Sequence, residues 1–256
     1  MRRSDGVLLT ILSCAACGES ASRVETRPPA VATASPPVRA PEPPRLEVLA
    51  RPEGASEPAR ILEPRDGVTL DAAAASALVI RVSGPMAGGG TTLVLSLDGA
   101  RPRPVSSGTL ALAELVAPGA SLEQGAHDLV LAAVDAAGVA HAASSGGVAW
   151  ARFFVGQRPP ASPPRVVCLA PSGTVYGKAP RFALDYVVVA GTASAVDVTV
   201  SGAGGSRRAR AEGPGPFALG AFPAGDHEVT LAAATEPAAL LGRCVFTVNP
   251  ELERPR

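Results

Sequence analysis

The stretch "GAHDLVLAA" (Gly125–Ala133) returns as "GDHEVTLAA" (Gly225–Ala233). After His227, polar residues alternate with apolar ones, which is typical of an antiparallel strand with one buried face. In the second copy the acidic residues and the threonine occupy one parity, so the other parity must face the core. That parity places His127 and His227 on the inward side. We therefore predict that the stretch is one strand of a duplicated fold.

Other parts of the chain recur in the same order. "LEPRDG" (Leu62–Gly67) is echoed by "LAPSGT" (Leu169–Thr174), and "FFVG" at 153–156 is echoed by "FTVN" at 246–249. Because beginning, middle and end recur about a hundred residues apart, the sequence indicates two copies of one domain. Each copy contains about seven short alternating segments in about ninety residues, which predicts an all-β fold.

The pattern resembles the tandem immunoglobulin-like (Ig-like) domains of bacterial surface proteins. In those domains the penultimate strand often begins with Gly-x-His and the last strand ends in Phe-x-Val. The resemblance covers residues 60–250, and it implies two tandem Ig-like β-sandwiches but no particular function. We assign the sandwiches to 60–156 and 165–250, with a linker at 157–164 and a tail at 251–256. The linker, "QRPPASPP", is short and stiff, so we expect the domains to lie end to end.

The N-terminus, "MRRSDGVLLTILSCAACGES", resembles a bacterial lipoprotein signal, in which small residues precede a cysteine that is cleaved and acylated. Its apolar run is too short to span a bilayer. Cys17 is the better lipidation site and Cys14 the alternative; a plain secreted or untargeted start is the other interpretation. The resemblance implies a signal peptide at 1–17, export, and anchoring by acyl chains. Gly18, rather than Asp, favours the outer membrane, on its periplasmic or surface face.

Residues 18–59 are rich in proline and lack apolar periodicity. Such a composition favours extended polyproline conformations and does not support a core. We therefore predict a disordered tether between the membrane and the first sandwich.

Without the two N-terminal cysteines, Cys168 and Cys244 remain. A pair of cysteines in an exported protein indicates one disulfide. The Ig-like resemblance places the pair on the first and last strands of one sandwich, which are neighbours. Two buried free thiols are the alternative.

The repeated histidines have a structural and a chemical interpretation. Ig-like sandwiches often place a tyrosine near the start of this strand, bonded back to the preceding loop, and a neutral histidine can make the same bond. A metal site would need further ligands, and His141 is the only other histidine. We therefore assign structural roles to His127 and His227 and predict no metal site.

The composition argues against several kinds of partner and chemistry. The net charge is zero and the pI is about 6.8, so no field attracts nucleic acid. No catalytic motif is present, and we expect no catalytic residues, no cofactor and no enzyme activity. Aspartates in turns could bind calcium, but they fit no loop signature; they are Asp66, Asp71, Asp98, Asp128 and Asp135. The cluster Arg207, Arg208 and Arg210 indicates an exposed hairpin, with a polyanion contact as the alternative.

The function we expect is that of a lipid-anchored cell-envelope protein with a non-catalytic binding or structural role. Its partners would be the membrane, through the N-terminal lipid, and an unknown envelope protein or glycan. Trp150, the sole tryptophan, is either a core or rim residue or a platform on which a sugar stacks. A carbohydrate-binding accessory module is therefore the first alternative, and an enzyme with an unrecognised site is the second.

Overall fold

A computed structural model describes residues 43–52, 57–85, 90–142, 145–173, 175–177, 181–234 and 239–252. These residues belong to one compact unit. Their regular structure is almost entirely β, with one five-residue helix and one short 3-10 helix. Both of these helices are too short to span a bilayer, and the described residues contain no candidate membrane span. The predicted signal peptide, Cys14 and Cys17 lie outside the described residues.

The first sandwich consists of two sheets. Its strands are β1 (Arg60–Glu63), β2 (Thr69–Leu70), β3 (Val79–Ser83), β4 (Thr92–Leu97), β5 (Arg103–Val105), β6 (Gly108–Ala111), β7 (Gly125–Val134) and β8 (Val148–Val155). One sheet has the order β1-β3-β6 and the other β2-β8-β7-β4-β5. Helix α1 (Ala72–Ser76) follows β2, and the 3-10 helix (Leu112–Glu114) follows β6. Strand β2 pairs parallel with β8.

The second sandwich repeats this arrangement. Its strands are β9 (Arg165–Ala170), β10 (Val175–Tyr176), β11 (Phe182–Val189), β12 (Ala195–Gly202), β13 (Gly205–Glu212), β14 (Phe217–Gly220), β15 (Gly225–Ala233) and β16 (Gly242–Val248). The sheet orders are β14-β11-β9 and β10-β16-β15-β12-β13, and β10 pairs parallel with β16. The identical strand order confirms the predicted fold class, two Ig-like sandwiches in tandem.

Each sandwich has an apolar core of its own. In the first, Leu95, Leu131 and Phe153 are fully buried; in the second, Leu184 and Leu231 are. These residues lie on the inward parity that the alternating pattern predicts. The duplicated sequence therefore forms two separate cores.

The expectation that the sandwiches lie end to end is wrong. Strand β7 is buried on both faces, whereas its copy β15 alternates between buried and partly exposed residues. A third apolar cluster explains the difference, because it joins the outer face of β7 to β9 and β11 of the second sandwich. Its buried members are Val130, Ala132, Val134, Ala140, Val167, Leu169 and Val189. The two sandwiches therefore pack side against side.

Residues 43–52, which we call the strap, depart from the disordered tether predicted for 18–59. The backbone of Leu46 donates to the carbonyl of Arg210 on β13 at 2.8 Å. The backbone of Leu49 donates to Pro216, directly before β14, also at 2.8 Å. The strap thus covers the outer edges of both sheets of the second sandwich, which would otherwise present unpaired backbone groups.

Candidate functional site at the junction of the sandwiches

A fully buried carboxylate, Asp128, lies at one end of the junction. Arg152 on β8 donates from Nε to Oδ1 at 2.7 Å and from Nη2 to Oδ2 at 3.0 Å. Arg165, the first residue of β9, donates from Nε to Oδ2 at 2.9 Å. Because Arg165 belongs to the second sandwich and Asp128 to the first, this cluster ties the two together. From the sequence we considered Asp128 together with the aspartates in turns. In the structure Asp128 lies within strand β7.

Asp98 extends the cluster from the turn after β4. Its Oδ1 accepts the backbone N–H of Asp128 at 2.9 Å, and Arg165 Nη2 lies 3.3 Å from the same oxygen. Its Oδ2 lies 2.6 Å from Nδ1 of His127, whose Nε2 lies 2.9 Å from the carbonyl oxygen of Glu123. Both ring nitrogens of His127 therefore face acceptors.

The two acceptors, Asp98 and the carbonyl of Glu123, affect the protonation of His127. Burial alone would lower the pKa of the imidazole, but the hydrogen bond and charge of Asp98 and the carbonyl of Glu123 outweigh it. The net effect raises the pKa above its ordinary value of 6.5. A cationic imidazole donates from both nitrogens, which is what the two acceptors require. The neutral form considered from the sequence is thus disfavoured at this position.

A second buried carboxylate, Asp185 on β11, lies at the other end. Arg51 of the strap donates to both of its oxygens, at 2.9 and 2.8 Å. The backbone N–H of Ala140, in the first sandwich, donates to Oδ2 at 2.9 Å. Burial raises the pKa of the Asp185 carboxyl, while Arg51 and the backbone donors oppose that rise. Strap, first sandwich and second sandwich therefore meet at one carboxylate.

The junction thus has an apolar centre with a paired buried charge at each end. Among the described residues, every buried side-chain nitrogen and oxygen has a hydrogen-bond partner. Paired charges of this kind are costly to separate once they are buried. The apolar centre and the two charge pairs hold the two sandwiches in one orientation. The charged groups bind one another.

The second repeated histidine, His227, is also buried. Its Nε2 lies 2.8 Å from the carbonyl oxygen of Pro223, the same four-residue relationship that joins His127 to Glu123. Its ring packs against Phe222 and Phe246, with centroids 4.9 and 5.3 Å away. The structural role assigned to both histidines stays a prediction, and these contacts are its physical basis.

The third histidine, His141, is buried in the segment between β7 and β8, and its Nε2 lies 3.2 Å from Thr91 Oγ1. It lies in the first sandwich, apart from His227 of the second.

The other aspartates considered for calcium have backbone partners. Asp71 caps helix α1 by accepting the N–H of Ala74 at 2.7 Å, and Asp135 accepts the N–H of Val139 at 2.9 Å. Asp66 accepts the N–H of Arg152 at 2.8 Å. Within the described ranges, no three metal-ligating side chains lie together.

The arginine cluster lies along β13, on one arm of the β12–β13 hairpin. Arg207 donates to the carbonyl of Leu219 at 2.6 Å and lies over the ring of Phe222. Arg210 donates to Asp197 at 2.9 Å. Strand β13 is largely exposed, and two of its three arginines have partners in the same sandwich.

The predicted disulfide is confirmed. Cys168 on β9 and Cys244 on β16 are bonded, with their Cα atoms 5.8 Å apart. The bond joins the edge of one sheet to a strand of the other within the second sandwich.

Trp150 lies on the outer face of β8, at the rim of the junction. The residue is 42% exposed. It lines a cleft of about 320 Å³ that also includes Ala190 of the second sandwich and residues of the linker. Within the cleft, the guanidinium of Arg158 lies 4.6 Å from the ring centroid of Phe154. The cleft is therefore aromatic and polar at once.

No family model and no curated protein sequence matches this chain. Among solved structures, fibronectin(III)-like modules of Clostridium thermocellum CbhA share 18% identity over 77% of this chain and 98% of that one, with a TM-score of 0.27. The two tandem V-type regions of VCBP3, a V-region-containing chitin-binding protein, share 12% identity over 75% of this chain and 99% of theirs, with a TM-score of 0.28. At such scores the likenesses say nothing about function, and the strand order itself defines the class as Ig-like.

Proposed function

We propose that this is a lipid-anchored cell-envelope protein whose two sandwiches act as one rigid, non-catalytic binding or structural unit. The anchor is the acylated Cys17, and the location is the outer membrane. The observation that supports the unit is the contact of Arg51 with both Asp185 and the carbonyl of Ala140. Through that contact, the chain arriving from the N-terminal side is fixed to both sandwiches at once.

The junction supports a mechanical role. Its charged groups bind one another, and its centre excludes water with valine, leucine and alanine. Because the strap is bound at the junction, the two sandwiches keep a constant orientation relative to the strap. We propose no catalytic activity and no cofactor.

The anchor is tested by expressing the full chain in a bacterium that processes lipoproteins. We expect incorporation of labelled palmitate, recovery in the membrane fraction, and a mature N-terminus at an acylated Cys17 by mass spectrometry. Cys17→Ser abolishes all three, whereas the matched variant Cys14→Ser leaves them unchanged. A wild-type chain that is exported without acyl chains would overturn the anchor, and loss in Cys14→Ser alone would move it to the alternative cysteine.

Carbohydrate binding is a second candidate function. It is favoured by the exposed face of Trp150 in a cleft that also contains charged side chains.

A further inference from the structure

The cleft around Trp150 is built from four parts of the chain. Its floor is the outer face of β8, which presents Trp150 and Phe154. The linker contributes Arg158 and two prolines, and the second sandwich contributes Ala190, which follows β11. Asp66, before β2, completes the lining. The cleft is thus formed mainly by the first sandwich and the linker, and the second sandwich contributes Ala190 to it.

The floor and the linker wall are held in place by buried contacts. Arg152, between the two aromatic residues of the floor, donates to the carbonyl of Pro163 at 3.0 Å and to that of Ser162 at 3.3 Å. The same guanidinium binds Asp128. The linker is thus fixed against β8 by the ionic cluster of the junction, so the cleft is largely formed before any ligand arrives.

Several polar atoms in the cleft form no hydrogen bond with the described residues. Asp66 uses Oδ1 to accept the N–H of Arg152, and its Oδ2 has no such bond. The guanidinium of Arg158 lies over Phe154 and forms no hydrogen bond or ion pair in the described part of the chain. The indole N–H of Trp150 likewise has no protein acceptor there. These donors and acceptors belong to residues that line the same cleft as the exposed indole.

We propose that this cleft binds a short segment of neutral saccharide. The apolar C–H face of a sugar ring packs against an indole, and a carboxylate and a guanidinium can each bond to adjacent hydroxyl groups. Two guanidiniums line the cleft, but that of Arg152 is paired with the buried carboxylate of Asp128. The remaining carboxylate of Asp66 and guanidinium of Arg158 balance in charge, which favours a neutral ligand over an anionic one. A volume of about 320 Å³ lies at the lower end of ligand pockets, roughly 300–1,000 Å³, and limits the site to a short segment. The inference rests on the proposed binding role and names its ligand class.

Because Trp150 is the only tryptophan of the chain and lines the cleft, its fluorescence reports on binding there. We would titrate the purified mature chain with oligomers of neutral hexoses and of N-acetylhexosamines while recording tryptophan emission. A saturable change in emission with one oligomer class is the expected result, and isothermal calorimetry with the same oligomer supplies the dissociation constant. A proline-rich peptide serves as the competing ligand.

Matched variants locate the binding. Arg158→Gln weakens the saccharide at least tenfold, whereas Arg181→Gln, which changes another exposed arginine, leaves the dissociation constant unchanged. Trp150→Ala abolishes binding measured by calorimetry, and Val245→Ala, on an exposed strand face of the second sandwich, does not. Melting temperatures within a few degrees of wild type show that the variants are folded.

Failure of this inference is distinct from failure of the anchor. If no oligomer binds, if only the proline-rich peptide binds, or if Arg158→Gln and Trp150→Ala bind like wild type, the saccharide site is refuted. The palmitate experiment is unaffected by any of these results.

Discussion

The guanidinium of Arg51 binds both carboxylate oxygens of Asp185, at 2.9 and 2.8 Å, across 134 positions of sequence. The same guanidinium reaches the carbonyl oxygen of Ala140 at 3.0 Å. One side chain therefore connects the strap to both sandwiches. Since Asp185 is fully buried, its charge depends on this partner rather than on water.

Removal of Arg51 should destabilise the protein strongly. Arg51→Met leaves the buried carboxylate of Asp185 with backbone donors alone, and loss of one partner of a buried pair costs about 3–5 kcal/mol. The double variant Arg51→Met, Asp185→Leu should recover part of that loss, because it removes the unpaired carboxylate but leaves the N–H of Ala140 without its acceptor. Urea denaturation measures both, with Arg181→Gln as the control because its pair with Glu47 is exposed. A single variant as stable as wild type would show that the strap does not hold the junction.

The junction can be tested by exchanging residues between the copies. Val130, buried in the junction, corresponds to Thr230 on the partly exposed face of β15. Val130→Thr should cost about 1–2 kcal/mol, because it buries a hydroxyl among apolar side chains. Thr230→Val, the reverse change on the open face, should have little effect. Equal effects in calorimetry would mean that the two faces are equally covered in solution.

His127 should make stability depend on pH. Its pKa in the folded protein is raised above the ordinary value, so the protonated form stabilises the fold. That contribution is fully present below the unfolded pKa of about 6.5 and is lost as the pH rises through the folded pKa. The free energy of unfolding should therefore fall above about pH 6.5, and Asp98→Asn should reduce this fall.

The pH experiment has a direct readout. NMR titration of the ring of His127 should give a pKa above that of a histidine in an unstructured peptide. In Asp98→Asn it should move lower. Asp226→Asn, next to the other repeated histidine, serves as the control. A His127 pKa that is the same with and without Asp98 contradicts the assigned ion pair.

His227, the histidine of the second copy, should contribute to stability through packing and through its hydrogen bond to the carbonyl of Pro223. His227→Ala removes the contact with the carbonyl of Pro223 and the rings around it. We expect a loss of about 1–3 kcal/mol and a lower melting temperature. Saccharide binding at the Trp150 cleft should not change, because His227 does not line that cleft. A variant with unchanged stability would remove the structural role.

The sequences of the two copies differ on the outward face of β7 and β15, and this difference is a partial signal of the junction. On β7 the outward parity carries Asp128, Val130 and Val134, whereas β15 carries Glu228 and Thr230 at matched positions. That contrast marks the covered face of the first sandwich. It could have been seen from the alignment of the repeats, although it does not say what covers the face.

The strap shows a second kind of omission. "RLEVLA" (Arg45–Ala50) is an apolar segment at the end of a proline-rich stretch. The prediction of a disordered tether was based on the composition of the whole stretch 18–59, which is dominated by proline. Only the open edges of β13 and β14 give this segment a place to bind.

The sequence by itself determined the two sandwiches, their inward faces and the cysteine pair. Alternation and repetition are local patterns, and they persist whatever the rest of the chain does. The docking of the sandwiches, the strap and the Trp150 cleft were decided only by the tertiary structure. Their contacts join Arg165 to Asp128 across 37 positions and Arg51 to Asp185 across 134. These contacts depend on how the completed surfaces of the strap and the two sandwiches fit together, which alternation and repetition do not encode.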